Sequence, residues 1–557
     1  MMRLVIEWCC LLALTVQTSV TAIPSKLSRY PRYQECDALC ESLNYTTSTT
    51  NGTVTGHAAR NRSDVVEFLG IPYAAPPVGN LRFAPPAAFT GFRDYQASSF
   101  VSLSTSVISG PIITCSQSPS CPETPSKPVD YPNESIQGQR IISYFGSQFK
   151  HTQSEDCLTL NVWSKPTARA CAAKKPILIY FYGGRWFTGD TITPFFNGQY
   201  LAHAEDVVVV TINYRINIFS FHGAPGLDQN LAFHDQRKAI EWIADNAAAF
   251  GGDASKIVIM GQSSGSVGVS YYSYAHVENP IVSGYISSSG NEFSFPTNNV
   301  SLAAKHWYNA SAMLGCGSSG DVLPCMRNQT WQAVEKAGSQ VKPPPTGNQA
   351  RSQPAFQPVI DNTTVFTTDE YVRRLETGQF SKLPYLLGNN DNEAGYYKVA
   401  AYAQGTILPD SAWDDFNAES FTCPNTYEAY HRRKQNVPVW LFRYFGDWDN
   451  LRLYPTSGAY HGTLEEMVFG ASADVSGLPD SVPEKQTQAL VMHAWATFAD
   501  DPINGLKKMG WPTFDHANPT LIELAYNNSP SAQFESPAVF DDACFSASLT
   551  FKYDVPN

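Results

Sequence analysis

The run Gly261-Gln262-Ser263-Ser264-Gly265 fits the pattern G-x-S-x-G. In that pattern a serine sits on a strained turn between a strand and a helix, with its hydroxyl exposed. The flanking glycines are needed because a Cβ at either place would strike the neighbouring strand or helix. A plain Ser/Gly turn uses the same letters, so the rest of the chain has to decide. A serine hydroxyl is a poor nucleophile until a base takes its proton, and the base must be oriented by an acid. In this architecture those groups follow in the order serine, acid, histidine. The histidines after Ser263 include His431, His461, His493 and His516. His493, in the apolar run QALVMHAWATFA, reads as a packed core residue, and His431, in the charged run YHRRKQ, reads as solvated surface. His461, in SGAYHGTLEEMVFG, stands in a loop entering a helix, where a site-facing imidazole belongs. For the acid, YLLGNNDNEAGYY offers Asp391 and Glu393 on a polar turn, where turn-forming and helix-capping carboxylates are also expected.

The elements that would position these groups are legible around them. PILIYFY (176–182), DVVVVTINY (206–214) and KIVIM (256–260) are almost uniformly apolar, as strands covered on both faces should be. Between the last two, DQRKAIEWIADNAAAF places Ile240, Ile243, Ala247 and Phe250 at helical spacing. Strand, helix, strand, elbow and helix in that order imply an α/β protein with a parallel sheet. Ser263 would then lie at the carboxyl end of a buried strand, where open α/β sheets place their sites.

Bulk properties narrow the class. Of 557 residues, 43% are apolar and only 16% charged, enough to bury a large core. A net charge of −12 argues against nucleic acid as a partner, and no basic run suggests an electrostatic membrane anchor. Residues 1–22 read as a signal peptide: Arg3 precedes an apolar run, interrupted by Glu7, and Val20-Thr21-Ala22 supplies small residues for cleavage. That run is too short to span a bilayer and no second long apolar segment follows, so a secreted, extracellular chain without a stable anchor is expected. Sequons at Asn44, Asn51, Asn61, Asn133, Asn299, Asn309, Asn328, Asn362 and Asn527 agree with a glycosylated surface. Removing Cys9 and Cys10 with the signal leaves an even number of cysteines in a compartment that favours disulfides. Residues 23–60 are Ser/Thr/Asn-rich and read as mostly loop, and 23–557 as one domain without linker or repeat. No metal-ligand spacing is visible and no cofactor is expected.

Several stretches resemble the type-B carboxylesterase/lipase family, the cholinesterase-like branch of the α/β-hydrolases. They are FLGIPYAAPPVGNLRFAPP (68–86), SEDCLTLNV (154–162), VVVTINYRINIFSF (208–221) and HDQRKAIEWIADNAAAFGGD (234–253), in the family's order. The resemblance implies an α/β-hydrolase fold, a central mostly parallel sheet with helices on both faces and long loop insertions. It implies nucleophile Ser263, acid Glu393 and base His461, with the amides of Gly184, Arg185 and Ser264 as the oxyanion hole. Each such donor is worth about 3 kcal/mol in comparable sites. It also implies disulfides Cys115–Cys157, Cys316–Cys325 and Cys423–Cys544, leaving three possible pairings among Cys36, Cys40, Cys121 and Cys171.

The chain departs from the family at three places. Where the family's oxyanion loop has three glycines, this one reads Tyr182-Gly183-Gly184-Arg185. The amide at 185 is available if its φ is negative. The Arg185 side chain reads either as a cation at the pocket mouth favouring acidic or polar acyl groups, or as turned outward into an ion pair. Gln262 replaces the usual glutamate, and the 115–157 loop holds no tryptophan, so capture of a choline head is disfavoured. Ser264 replaces alanine, which is nearly neutral because only its amide is needed. The expected function is a secreted serine hydrolase that cleaves small-molecule or lipid carboxylic esters through an acyl-enzyme. A lipase or sterol esterase with a lid formed by the 115–157 loop is the alternative within the class. A non-catalytic cholinesterase-like adhesion protein is the alternative outside it.

Overall fold

The computed structural model describes residues 45–90, 95–96, 118–166, 173–344 and 353–546. The signal-like segment, Asn44, Cys36, Cys40, Cys115 and Cys171 lie outside them. The strands in chain order are β1 Tyr45–Thr49, β2 Gly52–Ala58, β3 Val66–Pro72, β4 Tyr95–Gln96, β5 Thr159–Ser164, β6 Lys175–Phe181, β7 Val208–Ile212, β8 Gly252–Gln262, β9 Gly284–Ser288, β10 Tyr385–Asn390, β11 Val439–Tyr444, β12 Leu521–Leu524 and β13 Gln533–Glu535. They form one sheet in the order β1-β2-β3-β5-β7-β6-β8-β9-β10-β11-β12-β13, with β4 beside β2. From β7 to β12 every pairing is parallel. The strands before β7 in that order, and β13 at the far end, pair antiparallel, except that β4 runs parallel to β2.

The three apolar runs become β6, β7 and β8: β6 is shifted by one residue from its run, β7 is shorter than its run and β8 longer. Every residue of β7, β9 and β10 is buried, as parallel strands under helices require. The helix Leu231–Asn246 buries Ile240 and Ile243, while Ala247 and Phe250 fall in a tighter turn that follows it. The helix Ser264–Ala275 packs on β8 and β9, Val482–Asp500 on β6 and β8, and Cys423–Lys434 on β10 and β11. Parallel strands all end on one edge, so the loops after β6, β8, β10 and β11 emerge side by side.

Four expectations need correction. Within 23–60, the described residues 45–58 are a β-hairpin, not loop: Thr46, Thr47, Thr49, Thr53, Val54 and Thr55 are β-branched and favour extended backbone, and Thr50-Asn51 makes its two-residue turn between the paired Thr49 and Gly52. His493 is exposed and paired with Glu205 at 2.9 Å, because it occupies the outward position of an otherwise buried helix. The charged run at His431 is not a solvated face: Arg432 is wholly buried against Glu428 and His431 is half-buried. Cys157 pairs with Cys121 rather than Cys115, with Cα atoms 5.0 Å apart. The reason is local, since the bridge between Ser120 and Gln153 draws the two ends of this loop together. Cys316–Cys325 and Cys423–Cys544 are joined. Among the sequons, Asn51 is buried and donates to Pro72 O at 2.6 Å, whereas Asn61, Asn133, Asn309, Asn328, Asn362 and Asn527 are exposed.

Candidate active site

The turn after β8 is as tight as its sequence implies. Ser263 sits at φ 55°, ψ −126°, between the end of β8 and the first residue of the helix Ser264–Ala275. A left-handed φ in a non-glycine residue costs of order 1–3 kcal/mol and persists only where the surroundings enforce it. They do here. A Cβ on Gly265 would lie 2.1 Å from Phe181 O, and one on Gly261 2.5 Å from the Gly265 carbonyl. The Ser263 amide donates to Ser288 O at the end of β9, at 2.9 Å.

The loops after β10 and β11 meet beside this turn. Glu393 is wholly buried, and its Oε1 accepts from Ser289 Oγ and from the Asn390 amide, both at 2.6 Å. Its Oε2 lies 2.5 Å from His461 Nδ1. Asn390 Nδ2 donates to Tyr460 O at 2.6 Å, and the Asn392 amide to Ala459 O at 3.0 Å, tying the histidine loop to the carboxylate loop. The imidazole is held between Tyr397 and Phe421, with ring centroids 4.9 and 5.3 Å away. Because Nδ1 faces a carboxylate, the ring proton belongs there and Nε2 presents a lone pair. Asp391, the other acid on this turn, instead pairs with Arg443 at 2.9 Å.

Ser263 and His461 share a neighbour rather than a direct hydrogen bond. His461 Nε2 lies 3.4 Å from the Tyr397 hydroxyl and 3.1 Å from Gln262 Nε2. The Ser263 side chain interacts with the same Tyr397 hydroxyl. Burial raises the Tyr397 phenol well above its ordinary value, so it stays a neutral donor. Sequence reasoning missed Tyr397, and nothing in the stretch EAGYYKVAAY singles it out from Tyr396.

After β6 the chain makes a left-handed turn, with φ 117° at Gly184, 53° at Arg185 and 67° at Trp186. The amide at Arg185 was expected to need a negative φ. The turn is instead forced left-handed because the Phe187 and Thr188 amides both close onto Gly184 O at 3.2 Å. The amides of Gly184, Arg185 and Ser264 have no acceptor among the described residues. The Arg185 side chain makes no outward ion pair among them either. Its guanidinium lies over the Tyr397 ring, 5.6 Å from the centroid, and its Nε is enclosed without a partner.

Beneath this loop lies a group that spacing did not reveal. Glu123, His151 and Asp190 bring ligand-type atoms within 4.8 Å of one another. Glu123 Oε2 accepts from Ser147 Oγ at 2.8 Å, Thr188 Oγ1 at 3.0 Å and the Gly189 amide at 2.8 Å, while Oε1 holds His151 Nε2 at 2.5 Å. Asp190 Oδ1 takes the amides of Ile192 and Thr193 at 2.7 and 2.9 Å. Burial and the Glu123 charge push Asp190 up to about 7. With most of its oxygens occupied by loop donors, the trio is arranged as a brace for residues 188–193 rather than as an open cation cage. From the other side, the helix Ile136–Phe145 of the Cys121–Cys157 loop brings the Phe145 ring against Gly462, where an added Cβ would meet Phe145 Cζ at 2.7 Å.

The described residues contain no helix long and apolar enough to cross a membrane. Comparison with known proteins places this arrangement. The carboxylesterase family matches residues 43–420. The chlorogenic acid esterase of Aspergillus niger is 27% identical over 521 residues, covering 89% of this chain and 93% of that protein. Secreted lipase 5 of Gibberella zeae is 28% identical, covering 94% of this chain and 97% of that protein. The acetylcholinesterase of Electrophorus electricus is 30% identical over 61% of this chain and 49% of that protein. A match running through the elbow strand, the Glu393 loop and the parallel strands β6 to β10 has one consequence: this chain belongs to the carboxylesterase family.

Proposed function

We propose that the protein is a secreted serine hydrolase that cleaves carboxylic esters through an acyl-enzyme on Ser263. The observation that carries this reading is the hydrogen bond from His461 Nδ1 to a wholly buried Glu393 at 2.5 Å. It leaves Nε2 basic, within one phenol of a serine held at a strained elbow. Ser263 Oγ turns from Tyr397 to Nε2, a tightening expected when substrate displaces a resting contact. Ser263 Oγ then attacks the ester carbonyl while Nε2 takes its proton, and Glu393 stabilises the imidazolium. The amides of Gly184, Arg185 and Ser264 receive the negative charge of the tetrahedral intermediate. Its collapse expels the alcohol, which takes the proton back from Nε2. Water activated by the same nitrogen then frees the acid.

Substitution of Ser263→Ala tests this directly. Turnover of p-nitrophenyl acetate and labelling by a fluorophosphonate should both vanish while secretion persists. Undiminished turnover would refute the assignment, and a wild-type protein that never labels would favour the non-catalytic adhesion reading. The position of Phe145 against Gly462 favours a second reading, in which the Cys121–Cys157 loop acts as a lid and the substrate is a lipid ester. A panel of acyl lengths with and without an oil–water interface separates the two. Secretion and glycosylation are supported by the secreted lipase among the relatives and by the exposed sequons.

A further inference from the structure

We infer that the Arg185 side chain recognises a carboxylate, and that the esters this site cleaves best carry such a group close to the scissile bond. The inference rests on the hydrolase reading above. Among the described residues the wholly buried guanidinium groups each face an acid, Arg82 with Glu155 at 2.5 Å, Arg215 with Asp235 at 2.7 Å and Arg432 with Glu428 at 2.9 Å, and the half-buried Arg140 and Arg433 each donate to two backbone carbonyls. Arg185 does neither. Its Nε is enclosed with no hydrogen-bond partner, and no ion pair joins the group to another described residue. Tyr397 and Tyr396 are the charge-bearing groups that face it, and both phenols are neutral: burial pushes Tyr396 up to about 12 and raises Tyr397 further. A half-buried cation with no counter-charge is costly to maintain unless something else supplies one.

Its place decides what that is. The guanidinium lies 5.6 Å from the centre of the Tyr397 ring, whose hydroxyl reaches His461 Nε2 and interacts with Ser263. An anion seated on Arg185 is therefore at the reacting centre. A guanidinium offers a planar fork of donors that matches a carboxylate, whereas a quaternary ammonium would be repelled. The carboxylate can belong to the acyl half, as in a dicarboxylic monoester, or to the alcohol half, as in an ester of a hydroxy acid.

Two matched pairs distinguish these sources. The acyl arm compares p-nitrophenyl hydrogen glutarate with p-nitrophenyl valerate, and the alcohol arm compares meta-acetoxybenzoate with meta-acetoxybenzamide. In the wild type the anionic member should be favoured in at least one arm. In Arg185→Met the ratio of kcat/KM values, anionic over neutral, should fall about 10- to 100-fold, the worth of a charge-assisted contact. Arg185→Lys should restore part of it. An unchanged ratio in both arms overturns the inference, because taking a ratio cancels any general effect of the substitution on turnover. Should Arg185→Met not fold, calorimetry on Ser263→Ala, with Arg185 intact, decides. Glutarate or meta-hydroxybenzoate should bind more tightly than the corresponding amide, and equal binding overturns the inference. A wild-type protein that cleaves neither member of either pair refutes the hydrolase reading separately, since carboxylate binding is measured without turnover.

Discussion

Replacing Glu393 with glutamine should abolish most activity without unfolding the protein, and the structure sets the size of the loss. Glu393 Oε1 accepts two donors, Ser289 Oγ and the Asn390 amide. A glutamine can satisfy both only by placing its carbonyl oxygen there, which turns its NH2 toward His461 Nδ1. Two donors cannot share that contact, so the imidazole must carry its proton on Nε2 instead. Nε2 is then unable to accept the serine proton, and no charge remains to stabilise an imidazolium. The equivalent substitution in a serine protease triad lowers kcat about 10⁴-fold, roughly 5.5 kcal/mol of barrier. Steady-state kinetics on p-nitrophenyl acetate should show a fall of about 10³- to 10⁴-fold in kcat, with KM little changed. Glutamine keeps the size of the side chain and its Oε1 contacts, so thermal unfolding should move by no more than a few degrees. A loss under tenfold, with the fold intact, would mean that the histidine is oriented by something other than this carboxylate.

Three further outcomes follow from groups away from the nucleophile. Burial alone would lower His151, but the hydrogen bond and charge of Glu123 outweigh it and carry the ring up to about 9, while burial pushes Glu465 up to about 8. Both groups hold protons in the folded state that the unfolded chain would release, so stability should fall as pH rises, through about 4.5 to 8 for Glu465 and 6.5 to 9 for His151. Thermal melts across that range check the sign, and Glu465→Gln should flatten the lower window. Arg432→Met should destabilise the protein by about 3–5 kcal/mol in urea titrations, because Glu428 is left buried without its partner. An unchanged midpoint would show that Glu428 simply takes up a proton. Replacing Cys423 and Cys544 with serine opens a loop closed over 121 residues and should cost about 5 kcal/mol by chain entropy, read from the same titration under non-reducing conditions.

The parallel core was legible because burial on both faces leaves an apolar run that no other element mimics at that length, and β6, β7 and β8 appear where those runs lie. The hairpin at 45–58 was missed because threonine and serine dominate it and composition suggested a polar loop. Its density of β-branched residues was the stronger signal. His493 and Arg432 show the opposite error. The polarity of a run says little about which way one side chain on a helix points, and here the apolar run exposes its histidine while the charged run buries its arginine. At the site, the turn at Ser263 was readable from two glycines. Glu393 and Asp391 were not separable by local pattern, and resemblance alone chose between them. Their different partners, His461 and Arg443, are set by loops distant in the chain. Tyr397, on the helix Ala394–Tyr402, and the brace of Glu123, His151 and Asp190 likewise reach their places by the convergence of segments distant in the chain, for which spacing holds no signal.

The stretches that carry the family resemblance do little chemistry, and that explains how one scaffold admits different substrates. Arg82, from the first block, forks onto Glu155 of the second and also donates to the carbonyls of Met326, Arg327 and Gln329. Arg215 and Asp235, from the third and fourth, form another buried bidentate pair behind β7. Breaking either pair leaves a buried charge without its partner, at a cost of about 3–5 kcal/mol, a large fraction of what holds a domain folded. Arg185 stands under the opposite condition: no described residue depends on its side chain for a hydrogen bond or ion pair, so changing it strands no buried charge and costs only its contact with the Tyr397 ring. The residues that fix the backbone of the site are therefore locked by mutual dependence, whereas the one that meets the substrate is free to vary. If that asymmetry holds, side chains substituted at 185 should redistribute activity among esters far more than they shift the urea midpoint. Large destabilisation with an unchanged substrate profile would reverse the argument.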